Sequence, residues 1–268
     1  MKMQKFKIVW AILLLATLTG ACKKQYNDVC KPDTNKYTPT AAEVEKDNIF
    51  SLLAYAVVLK DWQDDSKNGR GYNIGGVLVD SNDHLVCWAR NSVNVTNNGT
   101  QHGEVRMITN YLQNAPVKKL KEYKLYTTLE PCAMCSGMMT LTNLFTTIYG
   151  QKDPDFGDAI QRLRFNSKAE GGYCPYPRGV NSVAAENDVR KKIDTAYQKY
   201  QEAGGTSITE WLSTAEAKIF YEEAAKQLKN FTVKFPENQS SLTAAQNFLS
   251  GVPSKYTKTP YAVNCSGK

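Results

Sequence analysis

No stretch of this chain is apolar for long enough to cross a bilayer. The longest apolar run, at residues 8–16, falls short of the roughly 20 residues a spanning helix needs. A mean hydropathy of −0.46 likewise argues against a polytopic membrane protein. Seven cysteines in 268 residues are too few for a small scaffold held together by disulfides. There is no convincing internal repeat. With 42 % apolar and 22 % charged residues, the composition is that of an ordinary globular chain, which excludes wholesale disorder and collagen-like or low-complexity architecture. The length suits one large domain or two small ones. Only the charge is lopsided: +7, which taken alone points to nucleic acid or an anionic membrane.

The first residues change that reading. Lys2, Lys5 and Lys7 precede the apolar run, and Thr17, Thr19, Gly20 and Ala21 follow it. A basic start, a short apolar stretch and a small-residue end describe a secretory signal over residues 1–21. Leu18-Thr19-Gly20-Ala21-Cys22 resembles a bacterial lipoprotein box, which implies lipidation of Cys22 and a membrane-anchored exported protein. Ordinary cleavage near Ala21, leaving Cys22 a plain thiol, is the alternative. Removing residues 1–21 takes three lysines and no acid, so the charge falls from +7 to +4. Residues 22–40 are polar, contain Pro32 and Pro39, and read as a tether.

Beyond the tether the pattern alternates. Helical spacing of Ile49, Leu52, Leu53, Ala56 and Val57 predicts an amphipathic helix over about 41–61. Apolar runs predict strands at 74–79 and 85–89, joined as a hairpin across the turn cluster Asp80-Ser81-Asn82-Asp83. A helix over about 102–113, stopped by Pro116, leads to a strand at 124–129. A helix over 132–144 follows Pro131 and leads to a strand at 145–149. This order indicates α/β layers. Residues 41–170 are taken as one domain. Residues 171–268 read as a helical C-terminal extension, with helices expected from Val189 to Tyr200 and from Ile208 to about Phe231, then a polar tail of little periodicity.

One constellation carries chemistry. His102-Gly103-Glu104 opens one helix and Pro131-Cys132-Ala133-Met134-Cys135 opens the next. One imidazole and two thiolates suit Zn²⁺, and three protein ligands leave a fourth position for water, as catalytic sites do. Helix N-termini favour the thiolate form. Glu104, two residues past His102, is placed to shuttle protons rather than to bind the metal. A redox dithiol is the alternative reading of Cys132 and Cys135. The combination of His-x-Glu with Pro-Cys-x-x-Cys is the signature of zinc nucleobase deaminases.

The run Tyr126-Thr127-Thr128-Leu129-Glu130-Pro131-Cys132-Ala133-Met134-Cys135-Ser136-Gly137 resembles the cytidine-deaminase-like superfamily, closest to its tRNA adenosine deaminase and guanine deaminase branch. The resemblance covers roughly residues 45–165. It implies a three-layer α/β fold, a mixed sheet of about five strands with helices on both faces, of which four strands are placed and a fifth must follow Gly157. It also implies hydrolytic deamination of a nucleobase, free, in a nucleoside or within nucleic acid. Asn91 then falls where the family holds the substrate sugar or base; Phe156 and Tyr149 are candidates to stack on the base, against the ordinary reading of aromatic residues beside a strand as core. Self-association is expected on the same ground. Gly103 stands where the family usually has alanine.

Two other functions remain open on sequence: a secreted nucleic-acid deaminase toxin, which a basic stripe on the extension would support, and a non-catalytic zinc-binding protein, against which Glu104 speaks. The cluster Lys118, Lys119, Lys121 and Lys124 reads as a solvated loop, with contact to phosphate or an anionic membrane as the alternative, and Arg90, beside Asn91, is a candidate phosphate contact by position. His84 reads as a surface residue. Cys30, Cys87, Cys174 and Cys265 allow two disulfides in three connectivities, although Cys87 in its apolar strand also reads as a buried free thiol.

Overall fold

The computed structural model describes Cys30 and residues 36–255. The segment 1–21 expected to be a signal, Cys22 with its expected lipidation, most of the expected tether and Cys265 lie outside the described residues. The chain divides into two compact units, 1–31 and 32–268, and of the first only Cys30 is described.

Thr40 starts helix α1 (Ala41–Leu59) with a capping box: its side chain accepts from Glu43 N at 3.2 Å, and Glu43 Oε2 accepts from Thr40 N at 2.8 Å. Strands β1 (Gly75–Val79) and β2 (Leu85–Arg90) form the expected antiparallel hairpin. Helix α2 (Gly103–Asn114), β3 (Lys124–Leu129), α3 (Ala133–Leu141) and β4 (Thr146–Gln151) follow. Helix α4 (Ala159–Arg164) leads to β5 (Asn181–Ala184), the strand the sequence left unplaced. It lies inside the segment read as a helical extension. The sheet order is β2-β1-β3-β4-β5, with β1 antiparallel to both neighbours and β3, β4 and β5 parallel.

Strand side chains alternate between two cores, as a period of two requires. Val77, Trp88, Tyr126 and Ile148 join the core of α1, while Leu78, Cys87 and Leu125 join that of α2 and α3. The sheet therefore carries helices on both faces, and the metal-ligand segments share the second.

The remaining helices are α5 (Asp188–Glu202), α6 (Ile208–Trp211), α7 (Ala215–Lys229) and α8 (Gln239–Gly251). The single helix expected over 208–231 is broken, because Thr214 accepts from Ala217 N and starts α7 afresh. The tail contains a helix the sequence did not predict, α8, docked by Leu242 and Ala245. α1 is not the half-exposed amphipathic helix its spacing suggests: Ile49 through Val58 are buried without interruption. α7 and α8 cover its outer side, with Tyr221 against Tyr55 at 4.8 Å between ring centroids and Lys60 Nζ donating to Leu249 O and Val252 O at 2.8 and 2.7 Å.

Candidate active site

Both ligand-bearing helices begin at a ligand. His102 is the residue that caps α2 and Cys132 the one that caps α3, with Cys135 in the first turn. His102 Nδ1 lies 3.7 Å from Cys132 Sγ and 3.6 Å from Cys135 Sγ, and the two sulfurs are 3.7 Å apart. A tetrahedral Zn²⁺ with bonds of about 2.3 Å to sulfur and 2.0–2.1 Å to nitrogen separates its ligand atoms by about 3.5–3.8 Å. The triangle has that size. The same distance is far beyond a disulfide bond of about 2.05 Å, and both cysteines are free. Cys132 and Cys135 are therefore not joined to each other, and the donor set and spacing fit zinc. Among the described residues it is the one such cluster. Hydrogen bonding with Cys135, opposed by burial and reinforced by His102 and the Cys135 backbone N–H, pulls the Cys132 thiol down to about 4. That favours the ligating form.

Glu104 is buried in the first turn of α2. Its Oε1 accepts from Thr127 Oγ1 on β3 at 3.2 Å, while Oε2 is buried without a partner. Burial raises its carboxyl above the ordinary range. The Cys135 thiol is raised by its bond with Cys132, by burial and by the Glu104 carboxylate beside it, which sets Glu104 against the ligand triangle.

Gly103 has a packing reason. A Cβ there would lie 2.9 Å from Gly75 Cα and 3.3 Å from Ala89 O, so the start of α2 rests directly on β1 and β2. Asn91, just past β2, is wholly buried. Its Oδ1 accepts from Tyr72 N at 3.2 Å and Val93 N at 3.3 Å, and its Nδ2 has no partner. Phe156 is exposed on the loop after β4.

That loop is tied to the metal segment by Glu130, whose role the sequence did not reveal. Buried Glu130 accepts from Asp153 N at 3.3 Å and Asp158 N at 3.2 Å. Gly157 sits so close that a Cβ would be 2.3 Å from Glu130 Oε2. Asp153 Oδ1 in turn accepts from Asp155 N and Phe156 N, both at 3.0 Å, which fixes the turn carrying Phe156.

Other candidates are structural. Arg90 is buried, not presented to phosphate: its Nε donates to Val57 O at 2.6 Å and an Nη to Pro253 O at 3.0 Å, and its guanidinium lies over Trp88. Lys124 points inward to Asp47 at 3.1 Å and Tyr37 Oη at 2.8 Å, whereas Lys118, Lys119 and Lys121 are exposed. Tyr149 is buried. His84 is at the surface beside Asp80. Cys87 is not a free thiol: Cys30, Cys87 and Cys174 are disulfide-bonded.

Residues 50–151 match the sequence model of the cytidine and deoxycytidylate deaminase zinc-binding region. A tRNA-specific adenosine deaminase of Rickettsia bellii is 36 % identical over 98 residues, covering 36 % of this chain and 68 % of that protein. The tRNA-specific adenosine deaminase 2 of Xenopus laevis is 35 % identical over 153 residues, covering 48 % of this chain and 87 % of that one. Among solved structures, a tRNA:A34 deaminase aligns at 21 % identity and a TM-score of 0.40, covering 50 % of this chain and 95 % of its own. The ligand triangle, the buried glutamate beside it and the sequence matches together make the chain a member of the cytidine and deoxycytidylate deaminase family of zinc-dependent hydrolases.

Proposed function

We propose that this protein is an exported, lipid-anchored zinc aminohydrolase that removes the exocyclic amine from a nucleobase, free, in a nucleoside or within nucleic acid. The observation that carries the chemistry is the split environment of Glu104: one oxygen held by Thr127, the other buried and unpartnered beside the His102, Cys132 and Cys135 triangle. Those three residues would hold Zn²⁺, which when bound supplies water activated for attack near neutral pH. Glu104 Oε2 takes the water's proton and hands it to the ring nitrogen next to the amine-bearing carbon. The hydroxide left behind bonds to that carbon, and as the carbon–nitrogen bond breaks the same oxygen carries the proton of the new hydroxyl to the departing amine, so a carbonyl replaces the amine, one water is consumed and one ammonia leaves. Asn91 Nδ2 donates to an acceptor on the base or sugar, and the Phe156 ring offers a stacking face.

Export draws support from Cys30, Cys87 and Cys174, since disulfides persist in oxidising compartments. Lipidation rests on the Leu18–Cys22 segment of the sequence. The toxin reading calls for a basic stripe on the extension. Against it, Glu216 and Glu222 are exposed on α7 beside Lys226 and Lys229, and Lys192 is paired with Glu223 at 2.6 Å.

Metal analysis together with ammonia release from free bases, nucleosides and single-stranded DNA and RNA tests the proposal. The expected result is one zinc per chain and turnover of a base in at least one of these forms. Turnover of nucleic acid alone by a chain without the anchor would favour the toxin, and no turnover with any amine-bearing base would favour a binding protein. Retention of the wild type, but not of Cys22→Ser, in the membrane fraction is expected for the anchor.

A further inference from the structure

We infer that the C-terminal segment is a positioning element for substrate binding: through Asn73 it fixes the direction in which the Asn91 amide donates. This rests on Asn91 being a substrate contact, as proposed above. The segment around α6 and α7 lies outside the matched residues 50–151, so the family match alone assigns it no role.

The linkage runs through one buried asparagine. Asn73 is wholly inaccessible. Its Nδ2 donates to Leu212 O, just after α6, at 2.9 Å and to Gln63 O at 2.7 Å. Its Oδ1 accepts from Gln63 N at 2.9 Å, and its carbonyl accepts from Tyr221 Oη on α7 at 2.9 Å. Asn73 therefore fastens the loop between α1 and β1 to the C-terminal segment by backbone and side chain alike.

The same loop grips Asn91. Asn91 N donates to Ile74 O at 2.8 Å, Tyr72 N donates to Asn91 Oδ1, and the Arg70 guanidinium, paired with Asp61 at 2.8 Å, donates to Asn91 O. Gly71 has φ +148°, and a Cβ there would sit 2.4 Å from Asn91 Oδ1, so the loop can close on this carboxamide only without a side chain at that position. Two backbone N–H groups, from Tyr72 and Val93, face Oδ1. Turning the amide over would set its NH₂ against two donors, so the orientation is determined by its surroundings. What remains is Nδ2, buried and unpartnered, at the end of β2 on which α2 rests: a Cβ on Gly103 would be 3.6 Å from Asn91 N. A buried donor without a partner calls for a ligand.

Tyr221→Phe deletes one hydroxyl and keeps the ring packed on Tyr55. With whichever of adenine, guanine, cytosine, their nucleosides or single-stranded DNA or RNA is turned over, it is expected to raise KM about three- to tenfold, the worth of one hydrogen bond, at unchanged kcat and zinc content. In an Asn91→Ala background the same substitution should change KM no further. A crystal structure of Tyr221→Phe should show the 61–73 loop and the Asn91 carboxamide displaced or in two conformers. An equal KM effect with and without Asn91, or an unmoved Asn91 amide, overturns the inference. Absence of turnover by the wild type overturns the enzymatic reading alone, and the crystal structure still decides this one.

Discussion

Thr127 donates its hydroxyl to Glu104 Oε1 at 3.2 Å across the space between β3 and α2, and the second carboxylate oxygen is left buried with no partner. The bond aims the carboxylate. A carboxyl group whose one oxygen is committed to a fixed donor presents the other in a single direction, which is what repeated proton transfer between water, ring and amine requires. Thr127→Val keeps the shape and removes the donor. Steady-state ammonia release should fall about tenfold in kcat, with zinc content unchanged on metal analysis. An unchanged kcat would mean that Thr127 does not orient Glu104.

Gly103 separates His102 from Glu104 and has no room for a side chain. Because the atom a Cβ would meet at 2.9 Å is the backbone of Gly75, the strain of Gly103→Ala cannot be relieved by a side chain turning away. The start of α2 must shift, carrying His102 and Glu104 with it. Overpacking of this kind costs about 1–3 kcal/mol, and a misplaced reacting group loses rate steeply with distance. Gly103→Ala should lower the melting temperature and reduce kcat/KM at least about tenfold. An alanine accepted at no cost in either would refute this packing account.

Glu45 couples stability to pH. It is buried on α1, where burial raises its carboxyl, but donors from the C-terminal segment outweigh that and hold it below the ordinary range. They are Asn238 Nδ2 at 2.9 Å, Lys234 N at 2.6 Å and Phe235 N at 3.2 Å. A carboxyl lowered on folding contributes stability that is complete above its unfolded value, about 4.3, and is lost as pH falls through the folded one. Glu45→Gln should therefore be less stable than wild type in denaturant unfolding at pH 7. The difference should shrink toward pH 3. A difference that grows on acidification would contradict the sign.

Much of this was legible in the sequence, for identifiable reasons. β1 through β4 are apolar runs bounded by turn residues, and the spacing of His102, Cys132 and Cys135 marks the donor set that the structure brings together. β5 was not legible: Asn181-Ser182-Val183-Ala184 contains one β-branched apolar residue and is a strand because β4 lies beside it. α8 has so thin an apolar stripe, chiefly Leu242 and Ala245, that its period does not stand out. The burial of α1 depends on partners nearly two hundred residues away. Glu130 and Asn73 act through hydrogen bonds to backbone 23 to 139 residues distant, and no local pattern encodes those. Arg90 misled for the converse reason: a charged residue beside a site resembles a ligand contact until its burial and its carbonyl partners are known.

The most direct test of the account is Glu104→Gln, a change of one atom that keeps the size of the side chain and removes its ability to take a proton. Zinc content and ammonia release are measured on the same preparation. The account predicts one zinc per chain, as in the wild type, with ammonia release reduced by at least about a hundredfold, the lower end of what a general acid–base contributes. Wild-type ammonia release from a zinc-loaded Glu104→Gln protein would contradict it.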